Sequence, residues 1–216
     1  MHPGFAVLAV LLCPLACLAG SPADLFQGTF SEDDQVELFS FTSNGSTPIT
    51  IESYGYAGGV FGSTTIAAGG FAPDATVFDA SGDQEVTDSG GHCPPTGTDS
   101  VTGNCDDPYI QQVFSAGTYT LALTVYDNLP VDALSDGFRQ TGNPGFTCAE
   151  GGMTGEFCDV TDALYRQRTG NYAISIAGAT AASDITSATP EPATLPLMLC
   201  GALMVTTLYR RRRAAN

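Results

Sequence analysis

The chain has no lysine and no tryptophan, and only two histidines, His2 and His92. Its basic residues are seven arginines, against 23 aspartates and glutamates, for a formal net charge of −16. Each scarcity excludes something. Phosphate-rich partners require clustered Lys and Arg, so nucleic acid is not an expected partner. A catalytic triad would have to use His92, beside Cys93. No H-E-x-x-H, G-x-S-x-G or P-loop pattern occurs. Paired-carboxylate hydrolysis needs no histidine, but with so many acids no single pair is singled out. The expectation is therefore a non-enzyme, with a secreted hydrolase as the weaker alternative. Without tryptophan, a platform for stacking sugars would fall to Tyr54, Tyr56, Tyr109 and Tyr126.

The charge is unevenly placed. Four of the arginines, Arg210, Arg211, Arg212 and Arg213, close the chain. Residues 24–189 hold every acid except Glu191 and only Arg139, Arg166 and Arg168, a net −19. The 43% hydrophobic content is enough for a packed core, and 216 residues accommodate one domain comfortably.

Both ends read as addresses. Phe5 to Ala19 is an apolar run that stops at Gly20 and Ser21, which is signal-peptide length and short for a membrane span. Residues 1–20 are therefore expected to be a cleaved signal helix used by the export machinery, although MHPG supplies no Lys or Arg to its start. At the other end, residues 193–209 form a second apolar run of roughly 25 Å at about 1.5 Å per residue. Arginine snorkelling extends such a helix, and the positive-inside rule keeps the arginine block in the cytoplasm with the acidic body outside.

Between the ends, apolar residues repeat with a period of two. Val36 and Leu38 with Phe39 and Phe41, Ile49 with Ile51, Tyr119 through Val125, and Tyr172 through Ile176 mark strands with one wet face. Asp79-Ala80-Ser81-Gly82-Asp83 follows Thr76-Val77-Phe78 as a tight turn. The one helix candidate, Val160 to Arg168, lacks a long apolar stripe. The body, residues 24–179, is thus expected to be an all-β antiparallel sandwich, with residues 180–189 as a linker.

Removing both ends leaves Cys93, Cys105, Cys148 and Cys158. An even count in an exported domain suggests disulfides. Three connectivities are open, and local pairing, Cys93 with Cys105 and Cys148 with Cys158, ties one Gly- and Asp-rich loop each. Zinc is the alternative, but the spacings lack the close C-x2-C pairs that zinc sites use. Calcium is the cofactor that the acidic turns suit, through Asp79, Asp83, Asp106 and Asp107. Solubility and turn formation account for the same acids without a metal.

Pro190-Glu191-Pro192, then the apolar run, then Arg210 to Arg213, resembles the PEP-CTERM sorting signal over about the last 28 residues. The resemblance implies recognition by an exosortase in the inner membrane of a Gram-negative bacterium. The helix is then removed after transient anchoring, and the body goes from the periplasm to the cell surface or exopolysaccharide matrix. Glu191 becomes part of a recognition motif in a substrate. Family members often accompany exopolysaccharide and biofilm systems.

The body carries a second resemblance. Gly28 before Asp33 and Asp34, Phe78-Asp79 with Gly82, and Ala116-Gly117-Thr118-Tyr119 resemble the bacterial pre-peptidase C-terminal domain and its relatives. Gly69-Gly70-Phe71-Ala72-Pro73 and Asp136-Gly137-Phe138 are closer still to an uncharacterised exported PEP-CTERM group, though Ala72 replaces an expected Asp. These imply a single jelly-roll-like sandwich and an exported compartment. The function that follows is a non-catalytic surface or matrix protein. The alternative is a carbohydrate- or calcium-binding module, with extracellular polysaccharide as partner.

Overall fold

The computed structural model describes residues 23–93 and 95–186. Strands run in the order β1 (Asp24–Thr29), β2 (Val36–Ser43), β3 (Ile49–Ser53), β4 (Gly59–Phe61), β5 (Thr64–Ile66), β6 (Pro73–Phe78), β7 (Gln84–Asp88), β8 (Tyr109–Gln112) and β9 (Gly117–Val125). A short helix, α1 (Phe146–Glu150), precedes β10 (Asn171–Ala177) and β11 (Ala181–Asp184). One sheet has the order β1-β10-β3-β8, the other β11-β2-β9-β6-β7, and β4 pairs with β5 as a separate hairpin. All of these pairings are antiparallel.

The period-two pattern explains how the sheets meet. Ile49, Ile51, Ile174 and Ile176 from the first sheet, and Phe39, Phe41, Val77, Leu121 and Leu123 from the second, are buried in one apolar cluster. The Phe26 ring on β1 meets Phe39 of β2 at a tilt of 40° with centroids 5.0 Å apart, a contact that joins the sheets. Each such side chain contributes about 1.5–3 kcal/mol when removed from water, and one-residue slippage would turn every one of them outward. The β6–β7 turn forms where expected. Gly82 takes φ 87°, and Asp79 Oδ1 accepts from Ser81 N and Asp83 N.

Three expectations change. The helix over Val160 to Arg168 does not form. Asp159 Oδ1 accepts from Thr161 N and Asp162 N and stabilises turns there, the local competition with helix that Asp offers. The sandwich does not end at residue 179, because Ala181–Asp184 pairs with β2 as an edge strand. Nor is the second sheet wet outside. All six residues of β6 are buried, and Val36, Leu38, Phe78 and Ala122 form a second apolar patch on the outer face. The segment 126–142 covers it through Leu134 and Phe138, with the Phe78 and Phe138 rings edge to face at 6.5 Å.

Candidate functional site

Topology separates the connections. Short turns, residues 44–48, 79–83, 113–116 and 178–180, lie at one end of the sandwich. The long connections, residues 54–58, 67–72, 89–108 and 126–170, start and finish at the other, although 127–139 runs back along the second sheet as far as Gly82. Both cysteine pairs are at that end. Cys93 and Cys105 are paired with Cα atoms 5.6 Å apart, and Cys148 and Cys158 with Cα atoms 4.7 Å apart, both within disulfide range.

A buried polar network welds these loops together. Arg168 donates from Nε to Gly70 O at 2.8 Å and from Nη2 to Tyr56 O at 2.7 Å. Its Nη1 and Nη2 reach Asp99 Oδ2 at 3.3 and 3.2 Å. The guanidinium also lies 4.0 Å above the Tyr56 ring centroid. Burial would push the Asp99 carboxyl up, but the N–H groups of Thr102 and Val101 and the Arg168 charge outweigh it and hold the group low. Tyr56, fully buried, donates to Asp159 Oδ2 at 2.7 Å, and burial together with that carboxylate keeps its hydroxyl protonated.

Asp33, in the acidic turn after β1, plays a similar part. It is fully buried and accepts from Gly145 N, Thr147 N and Thr147 Oγ1, which pins the start of α1 to the sandwich. Glu156 shares the Gly145 N–H. Burial and the Asp33 carboxyl beside it push its acidity down.

The four aspartates expected as calcium ligands are not brought together. Asp79 and Asp83 stand at the short-turn end and hold their own turn. Asp106 accepts from Thr161 Oγ1 at the opposite end. Asp107, also there, is fully buried and accepts from Ser53 Oγ at 2.7 Å, Ala57 N at 2.8 Å and Tyr56 N at 3.1 Å. Its lone pairs therefore serve the loops. Among the described residues, no three His, Cys, Asp or Glu side chains group as metal ligands. His92 Nε2 lies 2.9 Å from Asp88 Oδ1, and the other Asp88 oxygen accepts from Tyr109 N.

The four tyrosines also separate. Tyr56 is interior to the network. Tyr126 flanks the covered face of the second sheet. Tyr54 and Tyr109 remain on the open outer face of the first sheet, on either side of Glu52. Tyr54 donates to Glu52 Oε2 at 2.8 Å and meets Phe61 of the β4–β5 hairpin edge to face at 6.1 Å. Burial, then the Glu52 carboxylate, raises its hydroxyl to about 12. Close by, Gln27, Thr29, Gly55, Ile66, Ala67 and Asn171 line a groove of about 410 Å³ with no charged side chain. Thr29 Oγ1 donates to Asn171 Oδ1 at 2.8 Å, which fixes the amide and leaves its NH2 toward solvent.

Pro190, Glu191, Pro192 and Arg210 to Arg213 lie outside the described residues, as do the expected signal helix and the expected spanning helix at 193–209. No protein-family model matches the chain, and no curated protein matches it. Two buried groups escaped the sequence reading, though each left a trace there. Arg168 is one of three arginines in a strongly acidic body, and Asp74 is the one charged residue in the apolar strand Pro73–Phe78.

Proposed function

We propose that the chain is a non-catalytic exported protein, sorted by an exosortase through its C-terminal signal and delivered to the cell surface or exopolysaccharide matrix. The observation that carries this reading is the order of three parts: Pro190-Glu191-Pro192, an apolar run, and four terminal arginines, behind a body with a net charge of −19. The body is suited to that destination. Its cysteines sit at disulfide distance, and the carboxylates at its loop end brace loops.

A jelly roll is the fold we assign. With the β4–β5 hairpin and β11 set aside, eight strands remain. They run first-eighth-third-sixth in one sheet and second-seventh-fourth-fifth in the other. That order of two Greek keys supports kinship with the pre-peptidase C-terminal type of domain. In the proposed route the body crosses to the periplasm, the helix at 193–209 anchors it transiently, and the exosortase removes that helix. Intact mass in hosts with and without an exosortase tests this. Loss of residues beyond the Pro190 region only when the enzyme is present supports the reading. Retention of the tail in both hosts reduces the protein to a plain tail-anchored one.

A second reading is a carbohydrate-binding module, favoured by the uncharged groove beside Tyr54. Neutral polar side chains beside Ile66 and Ala67 suit a polyhydroxylated ligand. A glycan array bound by the wild type and lost on Tyr54→Ala or Asn171→Ala supports it; a blank array counts against it.

A further inference from the structure

Asp74 is the exception among the buried acids. It is fully buried, and neither carboxylate oxygen has a hydrogen-bond partner. It lies on β6, opposite Thr124 of β9. The inner face of β6 carries Ala75 and Val77, so Asp74 shares the outer face with Thr76 and Phe78.

What seals that face is the segment 127–139. Leu134 N donates to Gly82 O in the turn beyond β6, Phe138 packs on Phe78, the last residue of β6, and Arg139 pairs with Asp127 at 3.5 Å toward the Asp74 end. The segment folds back on itself through Val131 N to Gly137 O and Arg139 N to Leu129 O. The groups facing Asp74 are these. Asp88 comes from the end of β7, Tyr126 from the exit of β9, and Asp127 and Arg139 from the covering segment. Thr124 on β9 is neutral, and the Ser89 hydroxyl pulls against burial as a weak donor to the ionised form, although it lies outside good hydrogen-bond geometry. Two carboxylates therefore oppose one arginine, and that arginine is already paired with Asp127.

An ionised carboxylate with no donor in good geometry is costly in such a place, whereas a protonated one is neutral. We propose that Asp74 is a proton-binding site that latches the 127–139 segment onto the second sheet: the carboxyl is protonated while the segment is seated. Loss of the proton to solvent leaves a buried charge that only opening of the segment can hydrate. Burial is the largest cause lifting the group, to about 7, with Asp127 and Asp88 adding and Arg139 opposing. An exported domain would thus hold the cover tightly in acidic surroundings and loosely in alkaline ones.

The test is amide hydrogen exchange of Val131, Leu134, Gly137 and Arg139 in the full-length chain, corrected for intrinsic rates. One linked proton predicts protection falling about tenfold per pH unit between pH 5 and 7 and levelling above. Asp74→Asn, a neutral isostere of the protonated acid, should hold protection constant across that range. Protection that is equally pH-dependent in both proteins overturns the proposal. So does restoration of wild-type protection at pH 8 by calcium chloride, which would make the occupant a metal ion. Should the variant fail to fold, carboxyl 13C titration of the wild type decides alone. A midpoint near 7 supports the latch, and one near the ordinary aspartate value of about 4 rejects it.

Discussion

The loop end around Arg168 and the covered face around Asp74 are both buried, polar regions of one small acidic domain, and Asp99 in the first and Asp74 in the second are shifted in opposite directions. Asp99 has two backbone N–H donors and a forked guanidinium, and its acidity is strengthened. Asp74 has no donor in good hydrogen-bond geometry, only a weak pull from the Ser89 hydroxyl, and its acidity is weakened by burial. Both side chains are hidden from water, but Asp74 lies deeper and lacks the donors that Asp99 has, and the balance between desolvation and donated hydrogen bonds sets the sign. A carboxylate bonded in this way fastens loops over a wide pH range. An unbonded one fastens only while it carries a proton.

The sharpest way to break this contrast is to strip the paired region of its cation. Arg168→Ala leaves Asp99 buried and uncompensated, and the carbonyls of Tyr56 and Gly70 lose their donor. A loss of about 3–5 kcal/mol is expected in denaturant unfolding. Arg168→Lys should recover little of it, since a lysine cannot supply the fork and the stacked plane together.

Next in size is the pH dependence of Asp74. Its folded value of about 7 lies above the ordinary 3.8, so its contribution is fully present below about pH 4 and is lost as pH rises through 7. At about 1.4 kcal/mol per unit, wild-type stability relative to Asp74→Asn should fall by about 4 kcal/mol across that window. Asp99 has the reverse sign. Its contribution is present above the ordinary aspartate range and disappears as pH falls through its lowered value, so Asp99→Asn should cost more at pH 7 than at pH 3.

Replacing Cys148 and Cys158 together by serine tests the loop end without touching a charge. Closing so short a loop is worth about 2–3 kcal/mol, visible as a lower Tm and faster proteolysis between residues 145 and 159. The smallest effect belongs to the open face. Tyr54→Ala should change stability by about 1 kcal/mol or less, and therefore isolates glycan binding from folding in the array experiment.

How legible this was depended on the range of the physics involved. Alternation at Ile49 and Ile51, Tyr119 to Val125, and Tyr172 to Ile176 marks strands because side-chain direction along a strand is a local property. The Asp79–Asp83 turn was readable for the same reason. By contrast, β1, β8 and β11 are edge strands with mixed patterns, so only their partners identify them. The Val160–Arg168 stretch looked helical because nothing local reveals that Asp159 and Asp162 cap turns instead. The aspartates offered for calcium are held apart for a related reason. Asp79 with Asp83 and Asp106 with Asp107 are close within each pair, but the strand order sends the pairs to opposite ends.

The β character of the body, its alternating core and the acidity of the domain were written in the chain alone. All of these rest on composition or on neighbours a few residues apart. Tertiary structure alone decided which carboxylates are bonded and which is not. Asp99 meets Arg168 across 69 positions of chain, while Asp74 meets a covering segment that brings it no donor. Burial and hydrogen bonding are properties of place in the fold, and two aspartates that are the same in sequence become a fixed brace and a proton-dependent one.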